Sequence, residues 1–148
     1  EIGASFGLIQ LKKLSKNISI RKKNFTTHKK FFSKFKDIFI LPNEDKLVNT
    51  CWLAYPIILK DNIKFTRKQF MSYLEKKGIQ TRVIFTGNIL RQPGFKFLQK
   101  NQNKNHFPNA DYIMKNGILI GLHHGLTKKD LNYIHKVIST FLAESISI

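Results

Sequence analysis

The chain has 148 residues with a formal net charge of +17, and 42% of its residues are hydrophobic. This length suits one domain with a modest core, and this apolar content excludes a wholly disordered chain. No run of about 18 uncharged apolar residues occurs, so we predict no membrane-spanning helix. Cys51 is the single cysteine, which excludes an internal disulfide or a four-cysteine metal site and favours a reducing, cytoplasmic location.

The charge alone would suit a basic nucleic-acid-binding module. The lysines and arginines are scattered, however, with only short clusters such as Lys12 with Lys13 and Lys29 with Lys30. The 13 phenylalanines mostly occur at spacings typical of a core rather than of exposed platforms for base stacking. A positive field would equally attract a nucleotide diphosphate, so we keep nucleic acid as an alternative and expect a different partner.

The first predicted element is one long helix, or two helices, over residues 1 to about 34. Apolar residues recur there at helical spacing, as expected for an amphipathic helix. They include Ile2, Phe6, Ile9, Leu14 and Ile18. The opening run EIGASFGLIQLKKL has neither an initiator methionine nor the layout of a signal peptide. We therefore expect the chain to be a piece of a longer protein.

A strand and a helix are predicted next. Residues 50–59, TCWLAYPIIL, are rich in aromatic and β-branched side chains and predict a strand. Pro56 within it indicates an edge position or a bulge. Thr66 and Gln69 have the spacing of a capping box, which predicts a helix that ends at Gly78. The inward residues of this helix are predicted to be Phe70, Tyr73 and Leu74.

The middle of the chain predicts a further strand and a further helix. The strand covers residues 81–85 and is followed by the polar stretch KFLQKNQNKNHFPN, which predicts a loop. Asn109 is predicted to cap a helix over residues 109–116, which stops at Gly117. This order continues the alternation of strands and helices.

The last part of the chain predicts the third strand and the final helix. The strand is ILIGL at residues 118–122, and Thr127 with Asp130 resembles a second capping box. The apolar stripe of the helix is Leu131, Ile134, Ile138, Phe141 and Leu142. The sequence thus predicts an α+β domain in which helices cover a small three-stranded sheet.

The stretch GIQTRVIFTGNILRQPGF, residues 78–95, carries the main candidate site. Arg82 and Arg91 flank a Gly-Asn break, and a fixed arginine can bind a carboxylate or phosphate through its planar fork. Asn88 and Gln92 lie on the same loop, which a following proline stiffens, so that less entropy is lost on binding. The alternative is a surface arginine and an ordinary strand-to-loop transition.

A second candidate is the histidine pair in GLHHGLT, residues 121–127. Adjacent histidines on an extended chain point in different directions, and no cysteine or carboxylate lies near them in sequence, so we expect no metal site. His123 and His124 are open to two interpretations, a ligand-facing ring and a satisfied structural ring. Cys51 is predicted to be a buried thiol beside Trp52. No Gly-rich phosphate loop or nucleophile elbow is present, so we predict no catalytic residue in this segment.

Four stretches in this order resemble a known family: EIGASFGLIQLKKL, WLAYPIIL, GIQTRVIFTGNILRQPGF and NADYIMKNGILIGLHHGLTKKDLNYIHKVISTF. The chain resembles the C-terminal part of the DegT/DnrJ/EryC1/StrS family, sugar aminotransferases that depend on pyridoxal phosphate. The pattern T-R-x-x-F-x-G-N-x-x-R-Q-P is most similar to the nucleotide-sugar 3-dehydratase branch. The resemblance implies a small C-terminal domain at residues 36–148, preceded at residues 1–35 by a long helix that leads from a cofactor domain.

The resemblance also implies an activity, which is 3-dehydration of CDP- or GDP-linked 4-keto-6-deoxyhexoses in lipopolysaccharide biosynthesis. A nucleotide-sugar aminotransferase is the alternative within the family. The implied cofactor is pyridoxal phosphate or pyridoxamine phosphate, held mainly by an upstream domain that also supplies the lysine or histidine beneath the cofactor ring. The complete enzyme is implied to be a homodimer, and this segment to be inactive alone.

The implied substrate site combines both candidate stretches. The arginines would face the sugar nucleotide, the amides would offer neutral hydrogen bonds, and one histidine would line the same cleft. The residues implied are Arg82, Asn88, Arg91, Gln92, His123 and His124. Some relatives carry an iron–sulfur cluster, which a single cysteine here cannot supply.

Overall fold

Helices and a small sheet alternate along the described residues, which are 1–45, 47–101 and 107–146 of the computed structural model. The α-helices of this part are α1 (Ile2–Phe32), α2 (Arg67–Lys76), α3 (Pro108–Asn116) and α4 (Lys128–Ile146). The strands are β1 (Phe39–Ile40), β2 (Ala54–Leu59), β3 (Thr81–Arg82) and β4 (Gly117–Gly121). Short 3-10 helices cover Ser33–Phe35, Ile89–Arg91 and Pro93–Asn101. No helix among these described residues is both long and apolar enough to cross a membrane.

The four strands form one antiparallel sheet in the order β1-β2-β4-β3. Its centre is the β2–β4 pair, in which Ala54 lies opposite Gly121 and Ile58 opposite Gly117. The predicted α+β class is confirmed, but the predicted count of three strands is wrong. The additional strand is β1, whose two residues pair only with the end of β2 and are too short to show a period in the sequence.

Pro56 has an edge position locally, as predicted, although β2 as a whole is not an edge strand. β2 lies inside the sheet, with β1 on one side and β4 on the other. β1 reaches only Ile58 and Leu59, however, whereas Pro56 pairs with Leu119 of β4. At Pro56 the sheet therefore continues on one side only, which is why a residue without an N–H group is tolerated there.

The core lies between the sheet and helices α1, α2 and α4, and it is rich in aromatic rings. Phe32 of α1 stacks on Tyr55 of β2 with ring centroids 5.3 Å apart, and meets Phe39 of β1 edge to face. The predicted inward residues of α4 are all buried, as are Phe70 and Leu74 of α2, while Tyr73 is half-buried. Periodicity thus identified the core faces of both helices.

The predicted capping boxes are confirmed, whereas the predicted cap of α3 is wrong. Thr66 and Gln69 bond reciprocally at the start of α2, and Thr127 and Asp130 do the same before α4. In α3 the N-terminal cap is Phe107, followed by a proline at the first helical position, instead of Asn109. Proline is favoured there because its missing N–H would be unpaired in any case.

Helix α1 is a single helix whose two halves differ in environment. Its second half is packed in the core through Phe25, His28 and Phe32. Residues 3–16 are exposed throughout, including large apolar side chains such as Phe6, which is 66% exposed. The apolar spacing that predicted this helix therefore belongs, in its first half, to a surface rather than to the core.

Strand β3 stops after two residues instead of continuing to residue 85 as predicted. The chain leaves the sheet and turns through two residues in the left-handed region, Phe85 with φ 47° and Gly87 with φ 65°. A Cβ atom on Gly87 would lie 2.3 Å from the Cβ of Met114. The close approach of α3 therefore requires glycine at this turn.

Candidate functional site

The predicted site residues form two groups near opposite ends of β4. The first group, called here the loop cluster, consists of Asn88, Arg91 and Gln92 with Asp111 of α3, the helix that leads into β4. The second, called the histidine turn, is residues 121–125 at the far end of the strand. Along the chain, the rest of α3 and the five-residue strand β4 lie between Asp111 and the histidine turn. Arg82 lies between them, opposite Leu119.

The loop cluster is organised around the carboxylate of Asp111. Arg91 donates from Nε to Oδ1 at 2.9 Å and from Nη2 to Oδ2 at 2.6 Å, which is the bidentate geometry favoured for this pair. Asn88 donates from Nδ2 to the same Oδ1 at 2.8 Å. The hydrogen bonds from Arg91 and then Asn88 lower the pKa of Asp111 to about 2. This carboxylate therefore stays ionised in all but strong acid.

The two amides of the loop cluster already have protein partners. Asn88 is buried, and its Oδ1 accepts a hydrogen bond from the backbone N–H of Leu90. Gln92 donates from Nε2 to the carbonyl oxygen of Thr86 at 2.8 Å. Together these contacts fix the turn that precedes and the turn that follows the short helix Ile89–Arg91.

Sequence reasoning missed Asp111, although the sequence contained a signal for it. Asp111 is the only carboxylate between Glu75 and Asp130 in a strongly basic chain. A lone acid in such a stretch is a natural partner for a nearby arginine. Its separation of 20 residues from Arg91 hid the pairing from any argument based on local spacing.

Arg82 is a predicted site residue whose side chain is available to a ligand. Its side chain is exposed on edge strand β3. Among the described residues, none forms a hydrogen bond or an ion pair with it. It lines an open depression of about 590 Å³ together with Glu75, Gly78, Gln80 and Thr81. An unpaired guanidinium at a depression is suited to an incoming phosphate or carboxylate.

In the histidine turn the two rings have different environments. His123 is exposed, and its Nδ1 accepts a hydrogen bond from the N–H of Gly125 at 3.0 Å. The His124 ring lies 4.0 Å from it, with a buried Nδ1 for which the described residues provide no partner. Desolvation, followed by the charges of His123 and Arg21, lowers the pKa of His124. The exposed ring is therefore the one that a ligand would meet.

A cavity of about 380 Å³ adjoins His123 between α2, β4 and α4. Two of its polar groups are already paired, since Tyr133 donates to the carbonyl oxygen of Lys77 and Asp130 accepts the capping bonds of α4. A phosphate-bearing cofactor such as pyridoxal phosphate needs several free donors for its phosphate group. The lining of this cavity does not supply them, so these residues do not fit that cofactor by themselves.

Metal ligands and the single thiol add little to the site. Within the described ranges, no three side chains of His, Cys, Asp or Glu come together as a metal ion would require. Cys51 is half-buried rather than buried as predicted. Trp52 beside it stacks on Phe25 with ring centroids 5.1 Å apart. The tryptophan therefore packs against the aromatic core, whereas the thiol of Cys51 lies at the edge of that core.

Comparison with known proteins shows which family this chain is similar to. A profile of the DegT/DnrJ/EryC1/StrS aminotransferase family matches residues 1–139. The chain is 32% identical over 93% of its length to GDP-4-keto-6-deoxy-D-mannose 3-dehydratase of Escherichia coli O55:H7 and 31% identical over 90% to lipopolysaccharide biosynthesis protein RfbH of Salmonella typhimurium. It covers 35% and 30% of those two proteins, respectively.

The fold also matches a solved structure. The E. coli GDP-4-keto-6-deoxy-D-mannose-3-dehydratase with bound hydrated pyridoxal phosphate superimposes with a TM-score of 0.72 and 32% identity. The match covers 89% of this chain and 33% of that protein. The chain thus spans about a third of the length of these relatives.

Proposed function

Because the chain belongs to the DegT/DnrJ/EryC1/StrS aminotransferase family, we propose that it forms the C-terminal, substrate-facing part of a nucleotide-sugar 3-dehydratase. The substrate class is a nucleotide-linked 4-keto-6-deoxyhexose, and the proposed role is the synthesis of dideoxysugars for lipopolysaccharide. The observation that carries the proposal is the identity of 31–32% to a 3-dehydratase and to a lipopolysaccharide biosynthesis protein over nine-tenths of the chain.

Arg82 is proposed to bind the diphosphate of the substrate. Its guanidinium is exposed and unpaired in the described part of the chain, and its fork matches two phosphate oxygens. His123 is proposed to contact the sugar nucleotide through Nε2, because its Nδ1 is already engaged with Gly125. His124 is proposed to support the His123 ring by packing against it, with the two ring centroids 4.0 Å apart.

The loop cluster is proposed to contribute to the same site in a different way. Arg91 holds both oxygens of Asp111, so a substrate phosphate must share or replace that carboxylate to reach it. Asn88 and Gln92 keep the loop in the conformation that presents Arg91. In this proposal Arg91→Ala weakens substrate binding less than Arg82→Ala does.

The cofactor is proposed to be pyridoxal phosphate or pyridoxamine phosphate, held mainly by residues outside this chain. The support is the bound pyridoxal phosphate in the solved relative, together with the lining of the His123 cavity, which does not fit the group. In this proposal the chain's own residues bind and orient the nucleotide sugar and contribute no catalytic residue.

A nucleotide-sugar aminotransferase is the second candidate, because the family as a whole is described by that activity. The two candidates share the substrate site, so they predict the same roles for Arg82 and His123. They differ in the product, which retains the 3-hydroxyl and gains an amine in the aminotransferase. A nucleic-acid-binding module is the third candidate, and the family membership disfavours it.

Two further expectations belong to the proposal. We propose that the complete enzyme is a homodimer and that it works in the cytoplasm, where nucleotide-linked sugars are made. Sedimentation of the complete enzyme tests the first, and fractionation of the source cells tests the second. A complete enzyme that remains monomeric at every concentration would contradict the homodimer.

A chimera tests the proposed function directly. In it, this chain replaces the matching third of the E. coli GDP-4-keto-6-deoxy-D-mannose 3-dehydratase. The folded chimera, loaded with pyridoxamine phosphate, is expected to release the 3-hydroxyl of a GDP- or CDP-linked 4-keto-6-deoxyhexose as water. The dehydratase and the aminotransferase are distinguished instead by the upstream domain of the complete protein, which supplies the histidine or the lysine beneath the cofactor ring. A folded and loaded chimera that binds none of the GDP-, CDP- and dTDP-linked sugars would exclude both.

A further inference from the structure

Beside the histidine turn lies a buried pair of histidines that the proposed function does not use. His28 of α1 is fully buried, and its Nδ1 lies 3.0 Å from Nε2 of His135 on α4. Its Nε2 lies 3.2 Å from the carbonyl oxygen of Gly121, the last residue of β4. The pair therefore links two helices to the sheet at the point where the histidine turn begins.

These distances assign the hydrogen on each ring. A carbonyl oxygen only accepts, so Nε2 of His28 must carry the hydrogen that it shares with Gly121. A neutral imidazole carries one N–H, which makes Nδ1 of His28 an acceptor. Its partner, Nε2 of His135, must then be the donor. The hydrogen bonds run in one direction, from His135 through His28 to Gly121.

A second side chain of α1 bonds to the same segment. Asn24, one turn before His28, is buried and donates from Nδ2 to the carbonyl oxygen of His123 at 3.1 Å. Helix α1 thus holds the carbonyl groups of residues 121 and 123, two positions apart in the histidine turn. Both donor side chains are buried, so breaking either bond leaves a buried polar group unpaired.

We propose that Asn24, His28 and His135 are positioning residues that hold the histidine turn in place for the substrate, and that they do so while both histidine rings are neutral. The inference rests on the proposed function, because the turn carries His123 and His124 of the proposed substrate site. The three side chains act through the turn and do not themselves touch a substrate.

The surroundings of the pair oppose a positive charge on either ring. Tyr55 of β2 lies against His28 with ring centroids 5.2 Å apart, and Phe31 of α1 stacks on His135 at 4.0 Å. The charged group that acts on His135 is Lys34, which is itself positive. Burial, as the largest cause, lowers the pKa of each histidine to about 4. Added hydrogen on Nδ1 of His28 would face the N–H of His135, and the directed chain of bonds would be lost.

The hydrogen positions can be measured in the 148-residue chain without any substrate. Long-range ¹H–¹⁵N spectra of the histidine rings distinguish the two neutral tautomers. At pH 7.5, His28 and His135 are both expected to carry hydrogen on Nε2. On acidification, their ring signals and the backbone amides of residues 121–125 are expected to change together. A hydrogen on Nδ1 of His28 at pH 7.5 would overturn the proposal.

Variants test whether the pair positions the turn. His28→Phe retains an aromatic ring but removes both hydrogen bonds, and it is expected to accelerate exchange of the Gly125 amide by about fivefold, which corresponds to one lost neutral hydrogen bond. His28→Gln, which restores a donor for Gly121, is expected to recover part of the protection. Thr27→Val is the matched control, because Thr27 bonds only within α1, to Lys23.

The outcomes separate this inference from the proposed function. Unchanged Gly125 exchange in folded His28→Phe, or an equal effect in Thr27→Val, would show that the pair does not position the turn. If His28→Phe does not fold, Asn24→Ala provides the same measurement through the bond to His123. The ring spectra and exchange rates need no turnover, so they remain informative even if the chimera is inactive.

Discussion

At one end of β4 the loop cluster is gathered by an ionised carboxylate near the surface, whereas at the other end the histidine turn is held by neutral groups in the core. The first is a charge-assisted arrangement in which Asp111 binds Arg91 and Asn88. The second depends on two rings that must remain uncharged. The two halves of the proposed substrate site should therefore respond to different conditions, salt in one case and mild acid in the other.

The largest expected difference between the two ends is their response to pH. The folded-state pKa of His28 lies near 4 and its ordinary value is 6.5, so the unfolded chain binds the proton more tightly. Stability is therefore fully present above pH 6.5 and is lost as the pH falls from 6.5 to 4. His28 alone accounts for about 3 kcal/mol of unfolding free energy across this window.

Urea unfolding at pH 7.5 and at pH 4 measures this difference. His28→Gln should reduce the pH dependence, because one of the two titrating rings is gone and His135 remains. Asp111→Asn should leave it intact, because Asp111 titrates near pH 2, below the window. A wild-type chain that is equally stable at both pH values would break the proposed contrast between the two ends.

A smaller effect is expected from the turn that ends β3. Gly87→Ala places a methyl group against Met114 at a left-handed backbone position. The expected loss in unfolding free energy is about 2 kcal/mol, from backbone strain and overpacking together. Gly94→Ala is the matched control, since a Cβ there meets nothing within 4 Å and its φ is not left-handed. Equal stability of the two variants, in thermal or urea unfolding, would show that the loop cluster tolerates displacement.

Arg82 is expected to affect ligand binding rather than stability. In the chimera, Arg82→Ala should weaken binding of the nucleotide sugar by roughly tenfold to a hundredfold, as expected for a lost charged hydrogen bond. Arg82→Lys should restore only part, because it keeps the charge and loses the fork. Titration calorimetry provides both affinities. If Arg82→Ala binds like the wild type while Arg91→Ala does not, the phosphate lies at the loop cluster instead.

The smallest expected effect is the release of Arg91 from its carboxylate. In the chimera, Asp111→Asn leaves Arg91 without its bidentate partner, and it is expected to increase the affinity for a nucleoside diphosphate modestly. Faster exchange of the Leu90 amide should accompany it, because Asn88, which accepts from that amide, also loses a charged partner. Asp61→Asn controls for the change in net charge. A reduced affinity in Asp111→Asn alone would mean that the intact cluster binds the ligand.

Local chemistry explains which elements the sequence could predict. The capping boxes at Thr66 and Thr127 use residues three positions apart, so they were visible in the sequence and are confirmed. The need for glycine in the turn after β3 depends on Met114, which lies 27 positions after Gly87 in the chain. No local spacing could show that approach.

The same distinction applies to the candidate site. Arg82 and Arg91 were found from their local context, but their difference in availability depends on Asp111. The histidine turn was identified from its paired rings, whereas the residues that hold it come from α1 and α4. His28 and His135 are separated by 107 positions, so no local spacing could show that they meet.

The first half of helix α1 forms a long arm that extends from the packed second half. At 1.5 Å per residue, the 26 steps from His28 back to Ile2 span about 39 Å. Residues 3–16 of this arm are exposed, so in the described structure the arm is anchored chiefly in its second half. A rotation of about 5° at that anchor moves the far end by about 3 Å, so a small change in the bonds that hold residues 121 and 123 becomes a large displacement at the exposed apolar end.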